Sequence, residues 1–153
     1  MPQQPPIQDS VEIDASPATV WGIVSDLKRM GEWSPQCVRM KVFGGEIKEG
    51  TRTLNLNRQG WKRWPTNAKV VAFEPQRKLA FRILENRTVW TYDLEPTATG
   101  TRLTETRHTP RGISKVSSLA VNGFLGGVPE FEVGLQAGIR QTLDRIKAAA
   151  EAS

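Results

Sequence analysis

The sequence predicts an α+β fold in which a curved antiparallel sheet of about seven strands wraps around a long C-terminal helix. One observation is an apolar stripe with helical spacing over residues 129–150. A second is a series of short alternating runs between residues 38 and 109, separated by turns of a few residues. Turns this short join neighbouring antiparallel strands. The third is an alternating run near the start, followed by two short helical segments.

The C-terminal helix is predicted over residues 129–150, a rod of roughly 30 Å at about 1.5 Å per residue. Its apolar stripe consists of Phe131, Leu135, Ile139, Leu143 and Ile146. A stripe of this length needs a broad apolar partner, and the strands supply one. Gly134 and Gly138 interrupt the helix, each at a cost of about 1 kcal/mol against alanine. They either allow close packing of the helix on the sheet or leave room for a ligand.

The N-terminal part divides into a tail and the start of the fold. Residues 1–8 are rich in Pro and Gln and are predicted to form a flexible arm, with residues 9–153 as one domain. Residues 9–14 alternate apolar and polar side chains and form the first strand.

The two short helices have recognisable boundaries. Ser16 is an N-cap with Pro17 at the first helical position. Asp26 caps a second short helix that ends near Gly31, and Pro35 biases the residue before it away from helical geometry. The later strands are predicted at residues 38–43, 51–58, 64–73, 79–83, 90–94 and 101–109.

Composition restricts the class of protein. The chain has 153 residues, 38% hydrophobic and 24% charged, as in a globular protein with a real core. No basic segment followed by an apolar run opens the chain, and no stretch approaches the roughly 20 apolar residues of a membrane span. We therefore expect no stable membrane insertion. The single Cys37 excludes an intramolecular disulfide and fits a reducing, cytoplasmic location.

Charge and motif content argue against several functions. The net charge is +5, but the 21 basic residues are scattered. Arg58, Lys62 and Arg63 alternate with tryptophans, which fits nucleic-acid stacking but equally a ladder of solvated outward side chains. We favour the ladder. His108 is the only histidine, so no multi-histidine metal site exists, and Cys37 is expected to be a small buried hydrophobe. No phosphate loop or dinucleotide fingerprint is present, so no cofactor or metal is predicted.

Six short motifs occur in a particular order along the chain. They are residues 16–21 (SPATVW), 30–35 (MGEWSP), 57–61 (NRQGW), 90–96 (WTYDLEP), 100–106 (GTRLTET) and 143–147 (LDRIK). With the element order, they make residues 11–150 resemble the START/polyketide-cyclase-like superfamily, also called SRPBCC or helix-grip, and within it an actinobacterial-type, mostly uncharacterised branch. The resemblance implies a helix-grip fold with a cavity between sheet and long helix.

The resemblance implies binding or transport of a hydrophobic small molecule, such as a lipid, polyketide or aromatic ligand, by a monomer or homodimer. One alternative is a cyclase/dehydratase-type enzyme that uses Glu105 with Tyr92. Another is an interaction or regulatory module without a ligand. A pocket of about 300–1,000 Å³ would favour the first two, and a collapsed core would favour the third.

Strand parity suggests which polar groups could do chemistry. If Leu103 points inward, so do Glu105 and Arg107. If Trp90 on the neighbouring strand points inward, so does Tyr92. These groups could orient a ligand carbonyl or act in acid–base catalysis. Alternatively, Glu105 and Arg107 form a structural ion pair.

The expected cavity lining joins these residues to aromatic and apolar side chains of the strands and helices. It consists of Trp33, Asn57, Trp64, Phe81, Ile83, Trp90, Tyr92, Leu103, Glu105, Arg107, Phe124, Phe131, Leu135 and Ile139. On the strand at 51–58, hydrophobicity turns Leu54 and Leu56 inward, whereas the resemblance turns Thr53, Asn55 and Asn57 inward. We follow the resemblance, although relatives often have an aromatic residue at Thr53 and a small one at Asn55.

The glycine-rich segment before the C-terminal helix is a candidate gate. Gly123, Gly126 and Gly127 bracket Phe124 and Leu125, and glycine allows backbone angles that other residues rarely adopt. The hypothesis is that Phe124 and Leu125 cover the cavity mouth and move aside for the ligand. The alternative is that this segment is a fixed plug over one end of the core.

Overall fold

A computed structural model describes residues 7–85, 87–108 and 128–153, the last range with side chains from Gly134 onward. The predicted gate, with Phe124 and Leu125, lies outside the described residues. The strands are β1 (Ile7–Ile13), β2 (Cys37–Val42), β3 (Arg52–Gln59), β4 (Lys62–Glu74), β5 (Lys78–Ile83), β6 (Val89–Pro96) and β7 (Thr101–His108). The helices are α1 (Pro17–Val24), α2 (Met30–Trp33) and α3 (Val128–Glu151), with a 3₁₀ turn at Leu27–Arg29 before α2.

The strands form one seven-stranded antiparallel sheet in the order β1-β7-β6-β5-β4-β3-β2. The sheet curves, and α3 packs against β1 and β7 on its inner face and against α1 and α2. The predicted helix-grip architecture is therefore confirmed. Strands β2 to β7 follow one another as a meander because each connection within it is short enough to join adjacent antiparallel strands.

The stripe on α3 fills the centre of the core. Leu135, Ile139, Leu143 and Ile146 are all buried, as the helical spacing predicted. Inward-facing residues of the sheet meet this stripe, among them Leu103, which has no exposed surface. The side chain of Phe131, the first residue of the predicted stripe, lies outside those described.

The first strand begins earlier than predicted. Ile7 and Gln8, which were assigned to the arm, pair with Arg107 and Thr106 of β7. The prediction was wrong at these two residues. Pro/Gln-rich composition reflects only a local backbone preference, whereas the backbone N–H and C=O groups of β7 can pair with any non-proline residue beside them.

The helix boundaries are partly as predicted. The Ser16 side chain accepts a hydrogen bond from the Thr19 backbone N–H at 3.2 Å and caps α1. Asp26 makes no side-chain cap, and the helical segment continues past Gly31 to Trp33. The side-chain cap predicted at Asp26 was therefore wrong, and the end predicted near Gly31 lies two residues early. Ser34, before Pro35, ends the segment in an extended conformation.

The glycines of α3 face the segment that leads from α2 into β2. A Cβ built on Gly138 would lie 3.3 Å from Gln36 Oε1 and 3.5 Å from Pro35 Cγ. One on Gly134 would lie 3.9 Å from Gln36 Nε2. Close packing is therefore the better interpretation at Gly138, although the partner is this segment and not the sheet.

Candidate functional site

A cavity of about 120 Å³ lies between the inner face of strands β2 to β7 and the segments carrying α2 and α3. Its lining combines aromatic, aliphatic, sulfur-containing and neutral polar side chains with one carboxyl group. The lining residues are Met30, Ser34, Gln36, Cys37, Met40, Asn55, Asn57, Trp64, Thr66, Phe81, Ile83, Trp90, Tyr92, Glu105 and Leu135.

A buried phenol–carboxyl pair forms one end of this lining. Tyr92 on β6 and Glu105 on β7 occupy directly opposite positions in the ladder, so their side chains share the inner face. The Tyr92 hydroxyl donates a hydrogen bond to Glu105 Oε2 at 3.0 Å and lies 3.7 Å from the Met30 sulfur. Glu105 Oε1 is buried without a hydrogen-bond partner. The carboxyl group therefore keeps unused hydrogen-bonding capacity beside the cavity.

Burial determines the protonation state of this pair. Glu105 is only 3% exposed, and loss of solvation raises the pKa of its carboxyl group to about 8, against a smaller lowering by the Tyr92 hydrogen bond. Burial, together with the neighbouring carboxyl, also raises the pKa of Tyr92 well above its ordinary value. At neutral pH both groups are therefore neutral, and a protonated carboxyl can donate as well as accept a hydrogen bond.

Arg107 is the next inward-facing residue of β7 after Glu105, but the two side chains do not pair. Its side chain is 4% exposed, and its backbone position faces Trp90. The predicted ion pair with Glu105 is absent from the contacts between described residues. Residues two apart share a face, but their side chains can still lean to different neighbours. Arg107 is also not among the residues that line the cavity.

A network of amides and hydroxyls forms the opposite end of the lining. The Thr53 hydroxyl donates to Asn55 Oδ1 at 2.8 Å. The Asn55 amide donates to Thr66 Oγ1 at 3.3 Å, and the Asn57 amide donates to the same oxygen at 2.9 Å. Asn57 also donates to the Trp64 carbonyl at 3.3 Å. Because these bonds satisfy the amide groups, polar side chains can occupy the inner face of β3 and β4.

This network answers the question of which way β3 faces. Thr53 and Asn55 are each 2% exposed, whereas Leu54 and Leu56 are 38% and 40% exposed. The orientation implied by the resemblance is confirmed, and the one implied by hydrophobicity is wrong. Alternation shows which residues share a face of the strand, but it does not show which of the two faces is buried.

The structure brings eight of the predicted site residues together at the cavity. They are Asn57, Trp64, Phe81, Ile83, Trp90, Tyr92, Glu105 and Leu135. Trp33, Leu103 and Ile139 are buried in the core but do not line the cavity, so these three assignments are corrected. Inward parity identifies a buried residue, but it does not separate packed core from open space. Phe124 and the Phe131 side chain lie outside the described residues.

Seven lining residues were absent from the predicted lining, although Asn55 had been predicted to face inward. They are Met30, Ser34, Gln36, Cys37, Met40, Asn55 and Thr66. Asn55 and Thr66 share parity with Asn57 and Trp64, so the strand pattern could have found them. Met30, Ser34 and Gln36 come from an irregular segment that has no periodicity to read.

The cavity is smaller than expected, and the described residues offer neither a reactive thiol nor a cluster of metal ligands. Its 120 Å³ falls below the 300–1,000 Å³ range expected of a ligand pocket, and it is somewhat smaller than the roughly 150 Å³ of a cavity that holds one benzene-sized ring. Burial raises the pKa of the Cys37 thiol to about 11, so it is not a ready nucleophile. The described residues hold no group of three or more potential metal ligands. Among their helices, none has the length and apolar character that a membrane crossing requires.

Comparison with known structures places the fold. A polyketide-cyclase-like protein of Corynebacterium glutamicum, Cgl2372, is 27% identical, with a TM-score of 0.69 over 99% of this chain and 94% of that one. The KanY protein is 19% identical, with a TM-score of 0.73 over 99% of each chain. The di-domain ARO/CYC StfQ of the steffimycin biosynthetic pathway is 15% identical, with a TM-score of 0.75 over 96% of this chain and 50% of that one.

No curated protein matches the chain at a significant level. The family described as polyketide cyclase / dehydrase and lipid transport matches residues 4–151, which is nearly the whole sequence. The helix-grip fold and the cavity between its sheet and long helix agree with that match. The chain therefore belongs to the polyketide cyclase / dehydrase and lipid transport family.

Proposed function

We propose that this protein binds a small hydrophobic molecule that contains one ring and carries a hydroxyl or carbonyl group. The observation that carries the proposal is the neutral Glu105 carboxyl, whose Oε1 has no partner among the described atoms although the residue lines an aromatic cavity. A buried polar group without a partner costs roughly 1–3 kcal/mol, which a ligand hydroxyl or carbonyl would recover.

The order of the strands supports a ligand with an apolar body. Polar groups on β6 and β7 are separated from those on β3 and β4 by β5, which contributes Phe81 and Ile83 to the lining. Trp90 lies opposite Phe81 in the ladder and extends this apolar strip. A ring stacked on the strip would place one substituent near Glu105 and another near Asn57. Such a ligand matches the family description in its broad chemistry.

A second candidate function is acid–base catalysis on the same ligand. The specific observation is the pKa of about 8 at Glu105, since a general acid or base works best when its pKa lies near the working pH. Tyr92 would hold the carboxyl in place through its 3.0 Å hydrogen bond. In this case Glu105 would exchange a proton with the bound molecule, whereas in a binding protein it would only orient it.

Two measurements test the binding proposal. Native mass spectrometry of the purified protein would detect a co-purifying ring compound. In titrations followed by NMR, phenol should perturb the indole N–H signals of Trp64 and Trp90 and bind more tightly than benzene. Glu105→Leu should remove this preference, while Glu105→Gln should retain it. Absence of binding by either probe and of any co-purifying compound would refute the proposal.

The same variants separate binding from catalysis. If the wild-type protein converts the co-purifying molecule, Glu105→Gln should still bind it but should lose conversion. Equal conversion by Glu105→Gln and wild type would exclude proton transfer by Glu105. Conversion by neither would leave the protein as a binder or carrier.

A further inference from the structure

The outer face of strands β2 to β5 concentrates positive charge that the sequence spreads over residues 39–82. We call it the basic face; its cations are Arg39, Lys41, Arg52, Arg58, Arg63, Lys69 and Arg82, all exposed. Each alternates along its strand with inward residues such as Met40, Thr53 and Trp64, which fixes its outward direction. Seven cations exceed the net charge of the whole chain, +5, so the remainder is net negative.

Like charges face one another across neighbouring strands. Lys69 of β4 lies directly between Arg52 of β3 and Arg82 of β5. Arg58 of β3 lies opposite Arg63 of β4. Like charges at directly opposite positions destabilise a sheet, so this arrangement favours an external anion.

Among the described residues, no acidic side chain forms an ion pair with the basic face. None of its seven cations takes part in an ion pair between described residues. Arg58 donates instead to the Pro35 carbonyl at 3.1 Å, and Arg63 to the Gly60 and Lys62 carbonyls. Glu85 is close to the face, but it accepts hydrogen bonds from Asn67.

The centre of the basic face is apolar. Leu54 lies between Lys41 and Asn67 in the ladder, and Leu56 lies between Arg39 and Pro65. At the tip of the β3–β4 hairpin, Trp61 is 82% exposed, with Lys62 Nζ 6.0 Å from its ring. Long basic side chains around exposed leucines, with a tryptophan at the edge, combine the groups that suit a lipid headgroup region.

We propose that the basic face adsorbs to the surface of an anionic lipid bilayer. Phosphate headgroups would neutralise the opposed rows of cations, and Leu54, Leu56 and Trp61 would reach the boundary of the acyl chains. Nucleic acid supplies phosphates too, but it offers no apolar surface to the two leucines.

Vesicle co-flotation tests this proposal with matched variants. The wild-type protein should bind phosphatidylcholine vesicles that contain 30% phosphatidylglycerol and not pure phosphatidylcholine vesicles. Each basic residue near an anionic membrane contributes about fivefold to the partition coefficient, so Lys69→Gln/Arg82→Gln should lower it roughly 25-fold. The control, Lys28→Gln/Arg77→Gln, removes the same charge from exposed positions elsewhere and should leave binding unchanged. Arg39→Gln/Lys41→Gln provides a second pair on the basic face, should the first fail to fold.

Raising the salt concentration separates the electrostatic from the apolar contribution to vesicle binding. The loss of vesicle binding caused by Lys69→Gln/Arg82→Gln should become smaller as the sodium chloride concentration is raised, because salt screens the attraction between charges. The loss caused by Leu54→Ser/Leu56→Ser should persist. The proposal would be overturned if the wild-type protein did not bind anionic vesicles, or if the basic-face and control variants lost binding equally. It would also be overturned if Leu54→Ser/Leu56→Ser bound with wild-type affinity. Binding of a 20-nucleotide single-stranded DNA at a salt concentration where vesicles are not bound would overturn it as well.

Discussion

At the scale of single residues, Glu105 shows how a carboxyl group is accommodated in an apolar core. Its position on β7 follows from alternation with Leu103, and its burial follows from that position. A buried carboxylate without a cation partner would cost several kcal/mol. The group instead keeps its proton and one hydrogen bond, from Tyr92. Its protonation state is therefore determined by burial in the folded protein, and it can be tested without a ligand.

The first prediction is a fall in stability with rising pH caused by Glu105. The pKa of its carboxyl is about 8 in the folded protein against an ordinary value of 4.5. Between these values the folded state holds a proton that the unfolded state has released, so the free energy of unfolding decreases as pH rises. The slope should approach about 1.4 kcal/mol per pH unit.

Urea denaturation of the wild-type protein and Glu105→Gln at pH 5, 6, 7 and 8 isolates this contribution. The glutamine variant lacks the titrating group, so the difference between the two proteins should change in favour of the variant as pH rises. Parallel stability curves across this range would show that Glu105 is ionised in the folded state.

The second prediction concerns the coupling between Tyr92 and Glu105. Tyr92→Phe removes the donor and leaves the buried carboxyl without its hydrogen bond, which should cost about 1–3 kcal/mol. In a Glu105→Leu background the same change should cost less, since no carboxyl then needs a partner. A double-mutant cycle in the free energy of unfolding measures the difference. A coupling energy near zero would contradict the 3.0 Å hydrogen bond.

At the scale of elements, periodicity predicted the existence of every strand and of the long helix, but it identified direction and neighbours less well. On α3 the spacing of Leu135, Ile139 and Leu143 identified the buried side because one stripe alone was apolar. On β3 both faces had plausible inward residues. The hydrogen bonds that the Asn55 and Asn57 amides donate to Thr66 on the neighbouring strand determine which face is buried, and the sequence of one strand does not reveal its neighbours.

The third prediction compares the two glycines of α3. Gly134→Ala should stabilise the protein by about 0.5–1 kcal/mol, because the new methyl group gains helix propensity and meets only Gln36 Nε2 at 3.9 Å. Gly138→Ala should gain less, since Gln36 Oε1 at 3.3 Å must move and Pro35 Cγ lies at 3.5 Å. Thermal unfolding of both variants measures the difference. A larger gain at position 138 would argue against close packing there.

At the scale of the whole molecule, the candidate site was predicted only where a regular strand or the long helix supplied it. The inward residues of β5, β6 and β7 were found from alternation, while the segment of Met30, Ser34 and Gln36 was not. The basic face was missed for a related reason. Its cations are separated along the chain by inward residues, so no run exceeds two, and only strand register places Arg52, Lys69 and Arg82 side by side.

The fourth prediction follows from this clustering of charge. Lys69 lies between Arg52 and Arg82 in strands about 4.8 Å apart. Lys69→Gln should therefore raise the free energy of unfolding by about 0.2–1 kcal/mol at low ionic strength. The gain should vanish near 1 M sodium chloride, where the screening length is about 3 Å.

Chemical denaturation by urea at several salt concentrations measures this effect, and Lys28→Gln is its matched control. Lys28 is exposed on the 3₁₀ turn before α2, away from the opposed rows of the basic face. Its replacement should show no comparable gain that disappears with salt. If Lys69→Gln destabilises the protein at low salt, the opposed cations do not repel one another. The excess free energy that an anionic surface would relieve is then absent, and the case for adsorption would have to rest on the leucines and Trp61 alone.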